Sequence, residues 1–170
     1  NRVVSDGASS NRFVSINLSI NELCVENFPE VFESFFPKEL IQKKRIVLEI
    51  TERIALERYS TAGRNLIALS KMGFPIFIDD FGAGYTSLSH IINFPINGIK
   101  IDRTFVPKSR DDKKRVAVFR SINQMAHDLG IIVVAEGIEN FEQEEIVREI
   151  GIDLIQGFRI AVPKPLAAQA

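Results

Sequence analysis

Ile76-Phe-Ile-Asp-Asp-Phe-Gly-Ala-Gly-Tyr-Thr-Ser-Leu88 decides how the chain is read. Ile76 to Ile78 form a short apolar run of the kind that fills a buried strand. The run ends in two adjacent carboxylates, Asp79 and Asp80. A Gly82-Ala83-Gly84 turn follows, and then hydroxyls suited to capping a helix. Neighbouring acids at the end of a strand repel each other and lose solvation, unless a cation sits between them. A divalent metal is the simplest such cation. Two solvated turn acids would explain this stretch alone equally well, so the rest of the chain has to decide.

Moving outward, strands and helices alternate. Phe13–Leu18 reads as a strand ending near Asn17, and Ser19-Ile-Asn-Glu22 has capping-box spacing. The helix it opens places Leu23, Phe28, Val31, Phe32 and Phe35 at apolar positions, with Pro29 kinking or restarting it. Ile46–Ile50 reads as a buried strand carrying Glu49. A helix over about Ser60–Met72 returns the chain to the Asp79 strand. A short helix over Ser87–Ile92 precedes a strand at Gly98–Asp102. The next helix, about Asp111–Leu129, has Val118, Ile122, Met125 and Leu129 at helical spacing. Ile131–Ala135 is an apolar strand ending at Glu136, Phe141–Ile150 a helix, and Asp153–Gln156 the last clear strand. Gly73, Gly130 and Gly151 each stop a helix shortly before a strand, so short connections return the chain to one sheet. Alternation of this kind implies parallel crossovers, in an open doubly wound sheet or part of a (β/α) barrel.

Composition bounds the function. The 170 residues suit one domain, and 45% hydrophobic with 25% charged residues is an ordinary globular balance. A net charge of −1 supplies no basic field for long nucleic acid, but leaves room for a small phosphorylated ligand whose charge a metal offsets. Cys24 is the only cysteine, which excludes an intramolecular disulfide. No apolar run reaches transmembrane length, so a cytoplasmic location is expected, with tethering through other segments left open. Residues 1–12 read as a linker or loop and 167–170 as a tail.

Polar groups recur at the ends of successive strands: Asn17, Glu49, Asp79 with Asp80, Lys100 with Asp102, Glu136, and Gln156. In a parallel barrel these ends converge on one face. Amide and carboxylate oxygens from Asn17, Glu49, Asp79, Asp80 and Glu136 make a donor set for hard cations such as Mg²⁺ or Mn²⁺. One lysine among these acids could orient a water or stabilise developing negative charge. The set suits two-metal phosphodiester hydrolysis. Singly, most of these residues have plainer readings: Asn17 as a cap, Glu52 as a loop acid, Lys100 and Asp102 as a structural ion pair.

Ser15-Ile-Asn-Leu-Ser, Leu48-Glu-Ile-Thr-Glu, Ile78-Asp-Asp-Phe-Gly-Ala-Gly-Tyr-Thr-Ser-Leu, Ile99-Lys-Ile-Asp, Val134-Ala-Glu-Gly-Ile-Glu and Gln156-Gly-Phe together resemble the ordered motifs of EAL domains. These are bacterial cyclic di-GMP phosphodiesterases and their ligand-binding relatives. The resemblance covers residues 13–163 and implies a partial EAL domain over 13–166, a TIM-like (β/α) barrel with about six of eight strands. It implies hydrolysis of cyclic di-GMP to linear pGpG with two Mg²⁺ or Mn²⁺ ions. Asn17, Glu49, Asp79, Asp80 and Glu136 match metal ligands of the family. Lys100 matches the lysine that positions the attacking water, and Glu136 and Glu139 also match its catalytic acids. Gln156 matches a substrate-binding position. Glu52 matches the residue that steadies the loop after the double aspartate. That loop, Phe81–Ser89 here, would contribute to a homodimer, and regulatory domains commonly accompany such domains on longer chains. The Glu-Ala-Leu motif itself does not occur upstream of Asn17. Its absence supports the alternative of an inactive cyclic di-GMP receptor or interaction module, which the intact Asp79-Asp80 pair and Lys100 oppose. An unrelated α/β metal enzyme is the third reading.

Overall fold

Six strands run parallel in a single sheet, in the order in which they occur along the chain. The computed structural model describes residues 13–51, 60–83 and 88–162. The strands are β1 (Val14–Leu18), β2 (Ile46–Thr51), β3 (Ile76–Phe81), β4 (Ile96–Ile101), β5 (Ile132–Ala135) and β6 (Leu154–Ile155). The helices are α1 (Ile20–Leu23), α2 (Phe28–Ser34), α3 (Lys38–Gln42), α4 (Thr61–Met72), α5 (Leu88–Asn93), α6 (Lys113–Asp128) and α7 (Phe141–Ile150). Each strand pairs with the next in parallel across a helical connection, and the result is a half-barrel. The barrel alternative is therefore the correct one, and the doubly wound sheet is not formed.

The two faces of the sheet carry different loads. Leu48, Ile50, Ile76, Ile78, Ile99, Ile101 and Val133 are buried with Leu66, Leu69 and Phe119 of the helices in the main core. Side chains alternate along a strand, so residues two apart share a face. The other face holds a smaller apolar cluster of Val47, Phe77 and Val134, with Phe13 and Leu154 against it. Beyond that cluster, two residues further along their strands, stand Glu49, Asp79 and Glu136. Burying one large ring in this layer requires space, and Gly98 provides it. A Cβ built on Gly98 would lie 2.6 Å from three carbons of the Phe77 ring.

Local signals account for the helix ends. Ser19 and Glu22 form the expected capping box on α1, Ser60 caps α4 through the Gly63 N–H, and Asn140 with Gln143 forms a second capping box on α7. Gly73, Gly130 and Gly151 have φ of +108°, +69° and +87°, the left-handed region that stops a helix cheaply only at glycine.

Two helical readings change. The stretch after Ser19 is three short helices, because Asn27 turns left-handed (φ +60°) and Pro29 sits in the first turn of α2. The restart resets the buried face. Phe28, Phe32 and Phe36 stack in succession towards Phe74, with ring centroids 5.0–6.1 Å apart, and Val31 and Phe35 are left 55% and 73% exposed. On α6 the buried stripe is Phe119, Asn123 and Ala126, with Ile122 and Met125 partly buried. Val118 and Leu129 face outward.

The connection from β5 to α7 is held by the turn after β6. Ile138 N–H donates to the Gln156 carbonyl at 3.1 Å, and Arg159 N–H donates to the Ile138 carbonyl at 3.0 Å. Gly157 lies between these two bonds, where an added Cβ would meet the Ile138 oxygen at 2.1 Å. Farther out, the segment before α6 is tied to α7 by a two-pronged pair from Arg110 to Glu149, 2.7 Å on each prong.

These close approaches give a testable stability order. Gly98→Ala should cost about 1–3 kcal/mol, as overpacking of a filled layer does. Gly157→Ala should cost more, because the obstructing atom is a hydrogen-bonded backbone carbonyl that no rotamer change can move. Urea denaturation of both variants checks the order. Equal stability of Gly157→Ala and the unmodified chain would show that the turn yields easily.

Candidate metal and phosphodiester site

The parallel register delivers the polar groups to one end of the sheet. Asn17 lies opposite Glu49, and Thr51 opposite Asp79. On the far side, Lys100 lies opposite Val134, the residue two before Glu136. Every one of these positions follows an apolar residue that anchors its strand, so the strand ends are rigid platforms.

At their centre lies the Lys100 ammonium, with the side chain 1% exposed. It donates to Asp79 Oδ1 at 2.8 Å and Glu49 Oε2 at 3.1 Å, and lies 2.7 Å from Glu136 Oε1. Burial works against the ammonium's charge, but the hydrogen bonds to Asp79 and Glu136 and the charges of Glu136 and Glu49 outweigh it. Lys100 therefore holds its proton well above the ordinary lysine range. The plainer reading of a Lys100–Asp102 ion pair is not what forms. Asp102 Oδ1 instead accepts from the backbone N–H and the hydroxyl of Thr104, closing the turn after β4.

Asp79, Asp80 and Glu136 form a second, overlapping group, in which one oxygen from each lies within 4.8 Å of the others. Asp80 takes a left-handed backbone, φ +54°, and its N–H donates to Asp79 Oδ1 at 3.1 Å. A non-glycine residue in this region is uncommon, and aspartate is among the side chains that tolerate it best. The strained turn holds the two adjacent carboxylates in one cluster. Glu136 is pushed above the ordinary carboxylate range, first by burial and also by the charges of Asp79 and Asp80, with Lys100 acting the other way.

A cleft of about 310 Å³ opens beside this group. Asp80, Glu136, Glu139 and Gln156 line it, together with Asp102, Arg103, Gly137 and Phe158. Gln156 Oε1 is buried there without a hydrogen-bond partner among the described residues. Glu139 is exposed at the cleft, with its N–H bonded to Gln143 Oε1 at 2.8 Å.

The structure thus gathers Glu49, Asp79, Asp80, Lys100 and Glu136 directly, and places Glu139 and Gln156 around the adjoining cleft. Asn17 stands exposed near the β1 end, its backbone opposite Glu49. Glu52 and residues 84–87 of the Phe81–Ser89 loop lie outside the described residues. Sequence reasoning passed over Arg103, Gly137 and Phe158 as cleft residues. The Arg103–Gly137 contact joins separate connections: an added Cβ on Gly137 would lie 2.4 Å from Arg103 Cβ. No periodicity or local motif announces such a pairing, although Gly137 follows a strand-end acid and Phe158 follows Gln156 at one remove.

Oxygen donors of this kind fit hard divalent cations, and the donor set contains no sulfur or imidazole that would favour a softer ion. Comparison with known proteins bears on that fit. The cyclic di-GMP phosphodiesterase RocR of Pseudomonas aeruginosa is 40% identical over 120 residues, covering 71% of this chain and 31% of RocR. The EAL enzyme Bd1971, solved with cAMP and cyclic di-GMP, superposes with a TM-score of 0.80 at 36% identity, covering 89% of this chain and 40% of that one. BlrP1 of Klebsiella pneumoniae, solved as a manganese and cyclic di-GMP complex, gives 0.72 at 30% identity, covering 86% and 38%. The chain thus spans less than half the length of each of these proteins. The EAL domain model matches residues 2–163, six strands fold as the matching part of EAL barrels do, and the chain belongs to the EAL domain family.

Proposed function

We propose that this chain carries the metal-dependent phosphodiesterase chemistry of its family, hydrolysing cyclic di-GMP to linear pGpG. The observation that supports this reading best is the overlap of the Lys100 and Asp79–Asp80–Glu136 groups at the mouth of one cleft. Asp79, Asp80 and Glu136 would hold Mg²⁺ or Mn²⁺, with Asn17 at the neighbouring strand end as a further oxygen donor and Glu49 behind them on Lys100. Bound there, two such ions would supply Lewis acidity and lower the pKa of a water at the phosphorus. The chain's own residues do the rest. Lys100 holds Asp79, Glu49 and Glu136 in place. Glu136 lines the cleft and brings its carboxylate to the same end as Asp79 and Asp80. Glu139 and Gln156 face the cleft where the cyclic dinucleotide would lie, and the unpartnered Gln156 Oε1 offers an acceptor to base or ribose donors.

The alternative is a receptor that binds cyclic di-GMP without cleaving it. Incubation of the chain with cyclic di-GMP and Mn²⁺, followed by chromatography for pGpG, separates the two. Turnover supports the hydrolase reading; binding without pGpG supports the receptor.

A homodimer built around the Phe81–Ser89 loop and regulation by further domains belong to the same proposal. A cytoplasmic setting belongs to the same proposal; among the described residues no helix is long and apolar enough to cross a membrane.

The metal assignment has its own test. Asparagine tolerates a left-handed backbone as aspartate does, so Asp80→Asn removes charge with little change of geometry. It should weaken Mn²⁺ binding by tenfold or more in calorimetry. The thermal midpoint of the metal-free protein should hold or rise, because acid–acid repulsion is relieved. Unchanged Mn²⁺ affinity would reject the metal site.

A further inference from the structure

We propose that Lys100 is a built-in cation that substitutes for metal. It holds the site together when no divalent ion is bound, and it opposes that ion when one arrives. The inference rests on the metal site proposed above.

Two sets of contacts share two members. Lys100 touches Glu49, Asp79 and Glu136, at 3.1, 2.8 and 2.7 Å. The three-oxygen group contains Asp79 and Glu136 again, with Asp80 in place of Glu49. Asp79 and Glu136 therefore face a buried cation and also belong to the oxygen group that includes the exposed Asp80; Glu136 and Asp80 line the cleft. Glu49 is 2% exposed and serves the buried side. Asp80 is exposed and serves the open side.

Burial makes this a functional choice. A buried carboxylate without a partner is costly, and removing one member of a buried ion pair leaves the others uncompensated. Without Lys100, Glu49, Asp79 and Glu136 would repel each other in a poorly solvated space. With Lys100 the metal-free site is already assembled. The same charge has a cost for the metal: a divalent ion on Asp79 and Glu136 would lie within a few ångströms of a buried ammonium, where little solvent screens the repulsion. Lys100 would thus lower metal affinity in exchange for a site that folds without metal. A lysine acting on an attacking water alone would have neither effect.

Lys100→Met tests this, since methionine fills the stem's space without charge. Mn²⁺ binding to the 170-residue chain is measured by calorimetry, and thermal unfolding is followed in EDTA and in saturating Mn²⁺. The variant should bind Mn²⁺ at least tenfold more tightly than the unmodified chain. It should melt earlier in EDTA and recover most of that loss in Mn²⁺. If the variant folds only with Mn²⁺, that is the extreme form of the same result, and affinity is then read by competition with a metal-chelating dye. Equal or weaker Mn²⁺ binding, or a stability loss that Mn²⁺ does not restore, overturns the proposal. Asp80→Asn, measured in parallel, separates the two failures. If it weakens Mn²⁺ binding and Lys100→Met does not strengthen it, the site stands and the role of Lys100 falls. If neither variant changes Mn²⁺ affinity, the metal site falls as well.

Discussion

One buried ammonium against three carboxylates is the constraint around which the strand ends are arranged. Charge at 1% exposure persists only where its partners are fixed at hydrogen-bond distance, and those partners come from three different strand ends. Glu49 lies in β2, Asp79 in β3 and Glu136 just after β5, so the register among β2, β3, β4 and β5 has to hold along the whole sheet. A slip of one residue in any strand would turn its acid towards the helices and leave Lys100 short of a partner.

That register is enforced below the site by packing. Phe77 fills the inner face two residues before Asp79, and Gly98 gives it room two residues before Lys100. The inner layer is therefore a spacer: a large ring on β3 opposite no side chain on β4. The pairing of β3 with β4 is irregular, shifting register between Ile76 and Phe77 and again between Ile78 and Phe81. The second shift accompanies the left-handed turn at Asp80. Irregular pairing here is the structural counterpart of placing two consecutive acids at one cleft, since a regular strand would send Asp79 and Asp80 to opposite faces.

The sheet and most of the site were legible in the sequence because both depend on short-range signals. Apolar runs such as Ile46-Val-Leu and Ile131-Ile-Val-Val mark strands, and an acid after each run marks a strand end. Helix stops at Gly73, Gly130 and Gly151 need only one backbone angle. What escaped depends on partners far along the chain. Val118 and Phe119 are both apolar, and which of them α6 buries is set by the strands beneath it. Lys100 and Asp102 have the spacing of a same-face pair on a strand. The acids of three other strand segments nevertheless take the lysine, and Thr104 takes the aspartate. The place of Arg103 beside Gly137 follows from the folded connections alone.

The site grades from buried to open, and the grading gives its groups different work. Glu49 and Lys100 are sealed; Asp79 and Glu136 are partly open, with side chains 18% and 17% exposed; Asp80 is exposed. Exchangeable chemistry belongs at the open end, where a ligand can enter and water can leave. The sealed end can hold a fixed charge, because nothing there needs to exchange. Lys100 contributes one positive charge to four nearby acids, so ionised together they leave the open end negative. An anionic phosphodiester would be repelled by such a mouth, and a divalent cation would be drawn to it. Burial first, and then the charges of Asp79 and Asp80, raise the proton affinity of Glu136, and the same excess of acids suits the open end to a cation.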